Sequence, residues 1–447
     1  MRLVYFVKVS FVAVASLVYA CGVSDSGHPG SEASGSGAGG TAGAGGAPGS
    51  GTDGGSNTGS SGGASEGGPS GSGGTANSGG STASSGATGA DGSASGSDGP
   101  MGSSGSGGAT SPSTLPGDVA EAAGTPFVAA HALTRALFAS YNGPLFRALR
   151  VSDKQEKDIG VVAAGGLADL TALSSFCSGT SCKVAALYDQ TGNGNDMRRA
   201  DTAATRPCDL MDLAYWQMSD GTNVPIALEH GWESNLLWKS TSQCLRNRDK
   251  TKNIPKGAQP QTQYAIFHGK YVNGNCCFDY GNTETGIRDD GVGSMGALTF
   301  TTMNFWSKGT GNGPWPMMDW ENGVYAGNIA KCNSGAGDTD CTATGENPNA
   351  SVSYDIATIF SKDNGVDHWQ LKSGNAKTGP LSVNIDLSAL PKGYSPLKLE
   401  GGLSLGEGGA GDSGGSGGFS EGGVIVGETT DTTDTAIQTS IISVYGE

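Results

Sequence analysis

Beyond residue 125, short runs rich in β-branched and aromatic residues alternate with clusters of Gly, Asn, Asp and Ser. Strands with turn signals at this spacing are typical of β-sandwiches and barrels. The segment 130–140 has apolar residues at spacings near three and four, which predicts one helix. No repeated alternation of strand and helix supports a mixed α/β fold. The pattern therefore predicts an all-β fold, from the runs KVAALYDQ, QYAIFHGKYV, GALTFTTMNFW, SVSYDIATIF, LKLEGGLSLG, GGVIVGE and AIQTSIISVYG.

The N-terminal quarter of the chain lacks this pattern. Residues 22–115 are mainly Gly, Ser, Ala and Thr, a composition that cannot bury a core and predicts a disordered tether. Residues 1–21 combine two basic residues, a short apolar run and Cys21. This order is typical of a signal peptide, here of the bacterial lipoprotein kind; an ordinary signal peptide cut nearby is the alternative. We expect an exported protein that is secreted or tethered to the cell surface or outer membrane through lipid on Cys21, with one domain over 116–447.

Charge narrows the class of partner. The whole chain has a formal net charge of −16. The signal segment contributes two basic residues and the tether six acidic residues, so the domain that follows is itself acidic. An acidic domain without a basic run argues against nucleic acid as a partner. We expect membrane contact through the lipid anchor only, and a monomer.

Nine cysteines, with Cys21 set aside for the lipid, leave an even number for disulfides. A structural zinc site is the alternative, but no CxxC pattern occurs and the five histidines are scattered. We therefore expect no metal and no cofactor. Proximity and elimination suggest four pairs: Cys177–Cys182, Cys276–Cys277, Cys332–Cys341 and Cys208–Cys244.

Cys276 and Cys277 are adjacent in the stretch GNCCFDYGN. Consecutive Cα atoms are ~3.8 Å apart, whereas an ordinary disulfide spans roughly 4.4–6.8 Å. A bridge between neighbours therefore closes a strained ring, and such strain tends to persist at ligand clamps and active sites. The alternative is that both cysteines are free or pair with distant partners, and the pair alone does not decide between these readings.

Two segments carry the acids that could perform chemistry. Asp319 and Glu321 flank Trp320, and on a strand their side chains would share one face, where each carboxylate disfavours ionisation of the other. Trp315 and Trp320 add aromatic surface suited to a sugar ring; an exposed strand with ordinary surface acids is the alternative.

The second segment is the glycine-rich stretch 403–423, which holds Glu407, Asp412 and Glu421. The alternative interpretation of this stretch is a flexible surface loop. Glycoside hydrolysis needs two carboxyl groups that flank the scissile bond, and two acid-bearing segments in an exported β-protein fit that need.

From about Gly124 onward the chain resembles the catalytic domain of glycoside hydrolase family 54, the α-L-arabinofuranosidase B family. The stretches that carry the resemblance are AAGTPFVAAHALTRALF, FCSGTSC, LYDQTGNGND, CCFDYGNTET, GNGPWPMMDWEN, LGEGG and FSEGGVIVG. The resemblance implies a lectin-like β-sandwich of the concanavalin or jelly-roll kind. It also implies a retaining hydrolase that releases terminal α-L-arabinofuranosyl units from arabinan or arabinoxylan. We expect no counterpart of the family's arabinose-binding β-trefoil module.

The resemblance also implies roles for single residues. The family's nucleophile falls on Glu321, and a nearby substrate-binding acid falls on Asp319. Further sugar contacts fall on Trp315, Asn322 and Gly409. The family's vicinal disulfide, which lines its sugar site, falls on Cys276 and Cys277, and its short-loop disulfide matches Cys177–Cys182.

One departure from the family affects the general acid. The family's acid is an Asp directly after a Gly-Gly pair, and that position here is Ala410, with Asp412 two residues later. We assign the general acid/base to Asp412. The Cys332–Cys341 loop resembles an insertion near the nucleophile. The partner is then an arabinose-containing polysaccharide. The alternatives are a glycan-binding surface lipoprotein that has lost the acid and a structural surface protein without a glycan site.

Overall fold

The computed structural model describes the C-terminal three quarters of the chain with some gaps. Cys21, Cys332, Cys341, Ala410 and Asp412 lie outside the described residues, so the predictions about them stay predictions, as does the prediction of a tether. The described residues are 114–199, 208–230, 243–286, 290–304, 306–327, 349–391, 393–409, 411 and 414–446.

Strands dominate the described residues. Three α-helices and one 3₁₀ turn accompany them: α1 Pro116–Ala122, α2 Leu170–Phe176, α3 Asp431–Tyr445 and the turn Gly269–Tyr271. None of the described helices is both long and apolar enough to cross a membrane. The strands are β1 Phe127–Ala132, β2 Pro144–Arg150, β3 Glu156–Gly160, β4 Cys182–Leu187, β5 Met197–Arg198, β6 Met211–Gln217, β7 Asn223–Glu229, β8 Leu245–Asn247, β9 Gln261–His268, β10 Asp279–Thr283, β11 Gly296–Thr301, β12 Trp315–Asp319, β13 Val324–Tyr325, β14 Ile356–Asp363, β15 Trp369–Asn375, β16 Thr378–Leu387, β17 Gly402–Leu405 and β18 Gly417–Val426.

Antiparallel pairing connects the strands into two layers. One layer runs in the order β16-β15-β14-β9-β18. The other runs in the order β12-β11-β10-β17-β8. Phe267 and Ile359 of the first layer share one buried apolar cluster with Leu298 and Leu405 of the second. Packing of two sheets over one core is the arrangement of a β-sandwich, so the predicted all-β fold is confirmed.

The C-terminal helix α3 corrects one prediction from the sequence. We expected a strand for AIQTSIISVYG because β-branched residues are frequent in it. The structure instead begins a helix after Thr430, whose side chain caps the N–H of Thr433. Ile437, Ile441 and Tyr445 are spaced by four, so they fall on one helix face and pack on the outer side of the first layer. The spacing of the apolar residues outweighs their strand propensity.

The segment 130–140 corrects a second prediction. Its apolar spacing suggested a helix, but the structure has strand β1 to Ala132 and irregular backbone after it. β1 pairs with β18 and every one of its residues is buried. A strand that is buried on both faces gives a continuous apolar run, which periodicity cannot distinguish from a buried helix.

Disulfide bonds join Cys177 to Cys182, Cys208 to Cys244 and Cys276 to Cys277. These are three of the four pairs that the sequence suggests, and the fourth lies outside the described residues. Disulfides persist in oxidising environments, so they indicate an extracellular protein.

Candidate active site

The second layer turns one face to the core and the other to a cluster of acidic side chains. Along β12, Met318 belongs to the core, so the alternating neighbour Asp319 faces the opposite way. Met317 is two residues before Asp319 on β12, so both side chains lie on the same face. Met317 pairs with Thr299 of β11, and Thr299 pairs with Asp279 of β10, which puts Asp279 on that face as well. Strand register therefore brings Asp279 and Asp319 together from two different strands.

Asp279 is the member of this pair of acids whose pKa is raised by its surroundings. It is fully buried, and burial raises the pKa of its carboxyl well above the usual value. The negative charges of Asp319 and, next, of Glu321 raise the pKa of Asp279 further. The sequence analysis missed Asp279, although it stands inside the CCFDYGN stretch, because its neighbour Asp319 comes from a distant part of the chain.

Glu321 lies in a turn beyond β12, which corrects the expectation that Asp319 and Glu321 share a strand face. Its φ is +64° and that of Asn322 is +57°, in the left-handed region that residues other than glycine seldom adopt. The N–H of Glu321 donates to Asp319 Oδ1 at 2.9 Å. The hydroxyl of Tyr394, a fully buried residue, donates to the Glu321 carbonyl at 2.8 Å. These contacts hold a backbone conformation of the kind found at functional sites.

The adjacent cysteines lie next to these acids. Cys277 Sγ is 3.5 Å from Asp319 Oδ2. Cys276 packs against a small buried cluster that contains Trp315. Gly414, in the glycine-rich stretch, donates its N–H to the Cys276 carbonyl at 2.8 Å. The described part of that stretch therefore reaches the cysteine pair.

The two tryptophans of the stretch GNGPWPMMDWEN, residues 311–322, behave differently. Trp315 shares the face of Asp319 and is only 2% exposed, and its indole N–H donates to the Thr310 carbonyl at 3.0 Å. Trp320 is fully buried against Trp369, with ring centroids 4.6 Å apart, inside the sandwich core. The expectation that Trp320 offers aromatic surface to a sugar was therefore wrong, because strand alternation turns it to the other face.

Gly409, in the glycine-rich stretch, lies directly beside the Glu321 carboxyl. A Cβ atom at Gly409 would lie 1.9 Å from Glu321 Oε2 and 2.9 Å from Glu284 Oε2. Only glycine fits there without displacing a carboxyl group. Glu284, which follows β10 and which the sequence analysis did not single out, thus also reaches the site.

The segment around Gly409 is held by a buried cation. Arg248 donates from Nη2 to Glu407 Oε1 at 2.8 Å and from Nη1 to the Gly409 carbonyl. Arg246 binds the other oxygen of Glu407. Glu407 is fully buried in this arrangement, so here the reading of a flexible surface loop was wrong.

Glu421, the other acid of this stretch, takes no part in the site. It lies within β18 and accepts from Arg135 Nε at 2.8 Å, in a fully buried ion pair on the side of α3. Of the acids that the sequence placed in this stretch, Glu407 and Glu421 therefore have structural partners.

Two groups of side chains could be mistaken for metal sites. Cys276, Cys277 and Asp319 lie within reach of one another, but the two sulfur atoms already form a disulfide. Glu284, Asp290 and Glu400 form the second group. Its carboxyl oxygens accept hydrogen bonds from neighbouring N–H and O–H groups. We assign no metal to either group.

Relatives with known functions match most of the folded part of the chain. The sequence model described as "Alpha-L-arabinofuranosidase B, catalytic" matches residues 116–445. Alpha-L-arabinofuranosidase B of Emericella nidulans is 36% identical over 330 residues, which cover 73% of this chain and 61% of the relative. An arabinofuranosidase/B-xylosidase of Trichoderma koningii is 35% identical over 330 residues, covering 73% and 62%. This chain thus spans about three fifths of the length of these relatives.

Solved structures agree with the sequence matches. A family 54 α-L-arabinofuranosidase soaked with a cyclic sulfate inhibitor superposes with a TM-score of 0.65 at 32% identity. An arabinofuranosidase complexed with arabinofuranosyl-α-1,2-xylobiose gives the same values, and both alignments cover 74% of this chain and 65% of the other. The chain therefore belongs to the α-L-arabinofuranosidase B family, glycoside hydrolase family 54.

Proposed function

We propose that this protein is a retaining α-L-arabinofuranosidase that removes terminal arabinofuranosyl residues from arabinan- or arabinoxylan-type polysaccharides. Membership of the family supports this proposal, and a related enzyme has been crystallised with arabinofuranosyl-α-1,2-xylobiose. The observation that carries the proposal is the placement of Glu321. The residue is 8% exposed and stands at a left-handed turn fixed by Asp319 and next to the cysteine pair.

In the proposed mechanism, Glu321 attacks the anomeric carbon and forms a covalent glycosyl-enzyme while a second carboxyl group protonates the leaving oxygen. Water then cleaves the intermediate, and the second group takes up the proton of that water. Asp412 is our candidate for this group. The described residues on either side support it, since Gly409 adjoins the Glu321 carboxyl and Gly414 bonds to Cys276.

The remaining groups shape the sugar site in this proposal. The Cys276–Cys277 disulfide offers an apolar wall to the furanose ring, and Trp315 lies in the buried cluster behind Cys276. Asn322 and Gly409 contact the sugar beside Glu321. Asp319 Oδ1 accepts the hydrogen bond from the Glu321 N–H and so orients the nucleophile in this site.

The test compares arabinose release by the wild type, Glu321→Gln and Asp412→Asn. On 4-nitrophenyl α-L-arabinofuranoside, Glu321→Gln should be inactive, because an amide cannot form the glycosyl ester. Asp412→Asn should lose ~10²–10⁴-fold on arabinoxylan and less on the nitrophenyl substrate, whose leaving group needs little protonation. Unchanged activity of Glu321→Gln would sink the nucleophile assignment. Unchanged activity of Asp412→Asn on both substrates would sink only the acid.

A second candidate function is a glycan-binding protein that does not hydrolyse. Ala410, at the position of the family's acid, is the observation that favours it. Measurable binding of arabinoxylan without turnover of even the nitrophenyl substrate would establish this reading and exclude the first.

We also propose that lipid on Cys21 tethers the protein, as a monomer, to the bacterial cell surface or outer membrane. The support is the sequence of residues 1–21 alone. Incorporation of labelled fatty acid by the wild type and its loss in Cys21→Ser would agree with the anchor. Equal labelling of both would contradict it.

A further inference from the structure

Glu284 is a buried carboxyl group next to the nucleophile that the mechanism above does not use. It has no exposed surface. Its Oε1 accepts hydrogen bonds from the Ser294 hydroxyl and, at 2.9 Å, from the Asp290 N–H. Its Oε2 has no hydrogen-bond partner among the described residues. The carboxyl is therefore oriented by Oε1, and Oε2 is free to carry a proton.

The Glu284 Oε2 atom lies close to Glu321 Oε2, on either side of the space beside Gly409. Glu321 Oε2 and Glu284 Oε2 lie 1.9 and 2.9 Å from the point that a Cβ of Gly409 would occupy. The two oxygens are no farther apart than the sum of these distances. Two carboxylates this close in a buried site repel each other strongly, so one of them keeps its proton.

The surroundings decide which of the two stays neutral. Two further acidic side chains, Asp290 and Glu400, have carboxyl oxygens within 4.8 Å of the Glu284 carboxyl. The guanidinium of Arg248 forms its ion pair with Glu407. Towards Glu284 it donates only to the main-chain carbonyl, from Nη1 at 3.3 Å. In the described part of the chain no salt bridge neutralises the Glu284 carboxyl.

The pKa of Glu284 is raised by burial and by its acidic neighbours Glu400 and Asp290. Burial raises the pKa to about 7, the hydrogen bonds from Ser294 and the Asp290 N–H act against the rise, and the charges of Glu400 and Asp290 add to it. Glu284 is therefore mostly neutral below pH 7 and mostly ionised above it.

We propose that Glu284 holds a proton on Oε2 beside the Glu321 carboxylate, and that this proton prevents the repulsion that would otherwise push Glu321 out of its position for attack. The inference rests on the proposed function, since it gives Glu284 a positioning role for the same nucleophile. When Glu284 ionises, the two carboxylates repel each other across Gly409 and hydrolysis slows.

The test compares the pH profile of kcat/KM for the wild type, Glu284→Gln and Asp363→Asn. Glutamine keeps the shape of the neutral acid but cannot ionise. Asp363 is a matched control, because burial also raises its pKa to about 7 but its partners are Gln261 and the Gly365 N–H, away from the site. We expect Glu284→Gln to stay within about threefold of the wild type at pH 5. From pH 6 to 8 the loss of kcat/KM in the wild type and in Asp363→Asn should exceed the loss in Glu284→Gln by about tenfold. An identical alkaline decline in all three proteins would overturn the proposal.

Two further variants shift the same ionisation in opposite directions. Ser294→Ala removes a hydrogen bond that lowers the pKa of Glu284, so the alkaline midpoint should move to higher pH. Glu400→Gln removes a negative charge that raises it, so the midpoint should move to lower pH. A purely structural role for Glu284 predicts no shift in either variant, and that result would contradict the proposal.

Thermal unfolding separates the proton on Glu284 from the enzyme activity. A buried acid with a raised pKa stabilises the fold below its unfolded pKa, and this contribution is lost as pH rises to the folded pKa. The difference in melting temperature between Glu284→Gln and the wild type should therefore increase between about pH 4.5 and 7 and remain constant above pH 7. This increase is the gain of the variant. If this gain is present but no substrate is hydrolysed, the proposed function fails while Glu284 still holds its proton. If the gain is absent, the proton assignment fails whatever the activity.

Discussion

Replacement of Gly409 by alanine should disable the nucleophile without unfolding the protein. The added Cβ would lie 1.9 Å from Glu321 Oε2, where ordinary contacts begin at 3.4 Å. Glu321 Oε2 must therefore move by roughly 1.5 Å, the difference between these two distances. A shift of 1 Å in a reacting group costs about 10²-fold in rate, so kcat should fall by at least about 10²-fold.

The fold should tolerate this change, because the atom that must move is the end of a side chain and not main chain. The melting temperature should fall by only a few degrees, since about 1 kcal/mol of strain corresponds to a few degrees in a domain of this size. Gly274 is a matched control two residues before the cysteine pair. A Cβ there would lie 3.6 Å from the nearest atom, so Gly274→Ala should keep full activity.

The assay measures kcat and KM on 4-nitrophenyl α-L-arabinofuranoside together with thermal unfolding of both variants. The expected result is a loss of kcat in Gly409→Ala, with a small change in melting temperature, and no loss in Gly274→Ala. Wild-type kcat in Gly409→Ala would refute the placement of Glu321 beside Gly409.

Three further predictions concern buried carboxyl groups. Glu421→Gln should lower the free energy of unfolding by about 3–5 kcal/mol in urea titrations, because it leaves Arg135 buried without a counter-charge; a cost below about 1 kcal/mol would contradict the buried pair. Asp319→Ala removes the acceptor of the Glu321 N–H, so kcat should fall about 10²-fold; wild-type kcat would exclude this positioning role. Glu284→Gln should raise the free energy of unfolding at pH 8 by at most about 3 kcal/mol, because burial raises the pKa of Glu284 from 4.5 to about 7. At pH 4 the free energy of unfolding should not change. An equal gain at both pH values would refute the coupling between this ionisation and stability.

The sequence predicted the fold class, the family and two segments of the candidate site because the signals for them are local. The all-β fold follows from short strands and turn residues, and the adjacent cysteines and the DWEN segment stand out without knowledge of the fold. The faces of the strands were harder to assign. Trp320 turns to the core and Glu321 leaves the strand, since the left-handed turn at Glu321 depends on Asp319 and on Tyr394, far along the chain.

Residues that act through long-range contacts gave no local signal. Glu284 and Asp279 look like ordinary acids in the sequence, and only the register of β10, β11 and β12 brings Asp279 to Asp319. Glu284 matters because Gly409, 125 positions later, comes between it and Glu321. Such pairs depend on tertiary structure, so periodicity and spacing could not identify them.

The most direct test of the proposed function is the identity of the residue that a mechanism-based inhibitor labels. A cyclic sulfate inhibitor has been soaked into a related enzyme. A cyclic sulfate with the arabinofuranose configuration should react with the nucleophile of a retaining enzyme and leave a covalent adduct. Mass spectrometry of the digested protein should find a single adduct on Glu321 in the wild type and none in Glu321→Gln. An adduct on another carboxyl group, or turnover of the nitrophenyl substrate without any adduct, would contradict the assignment of Glu321 as the nucleophile.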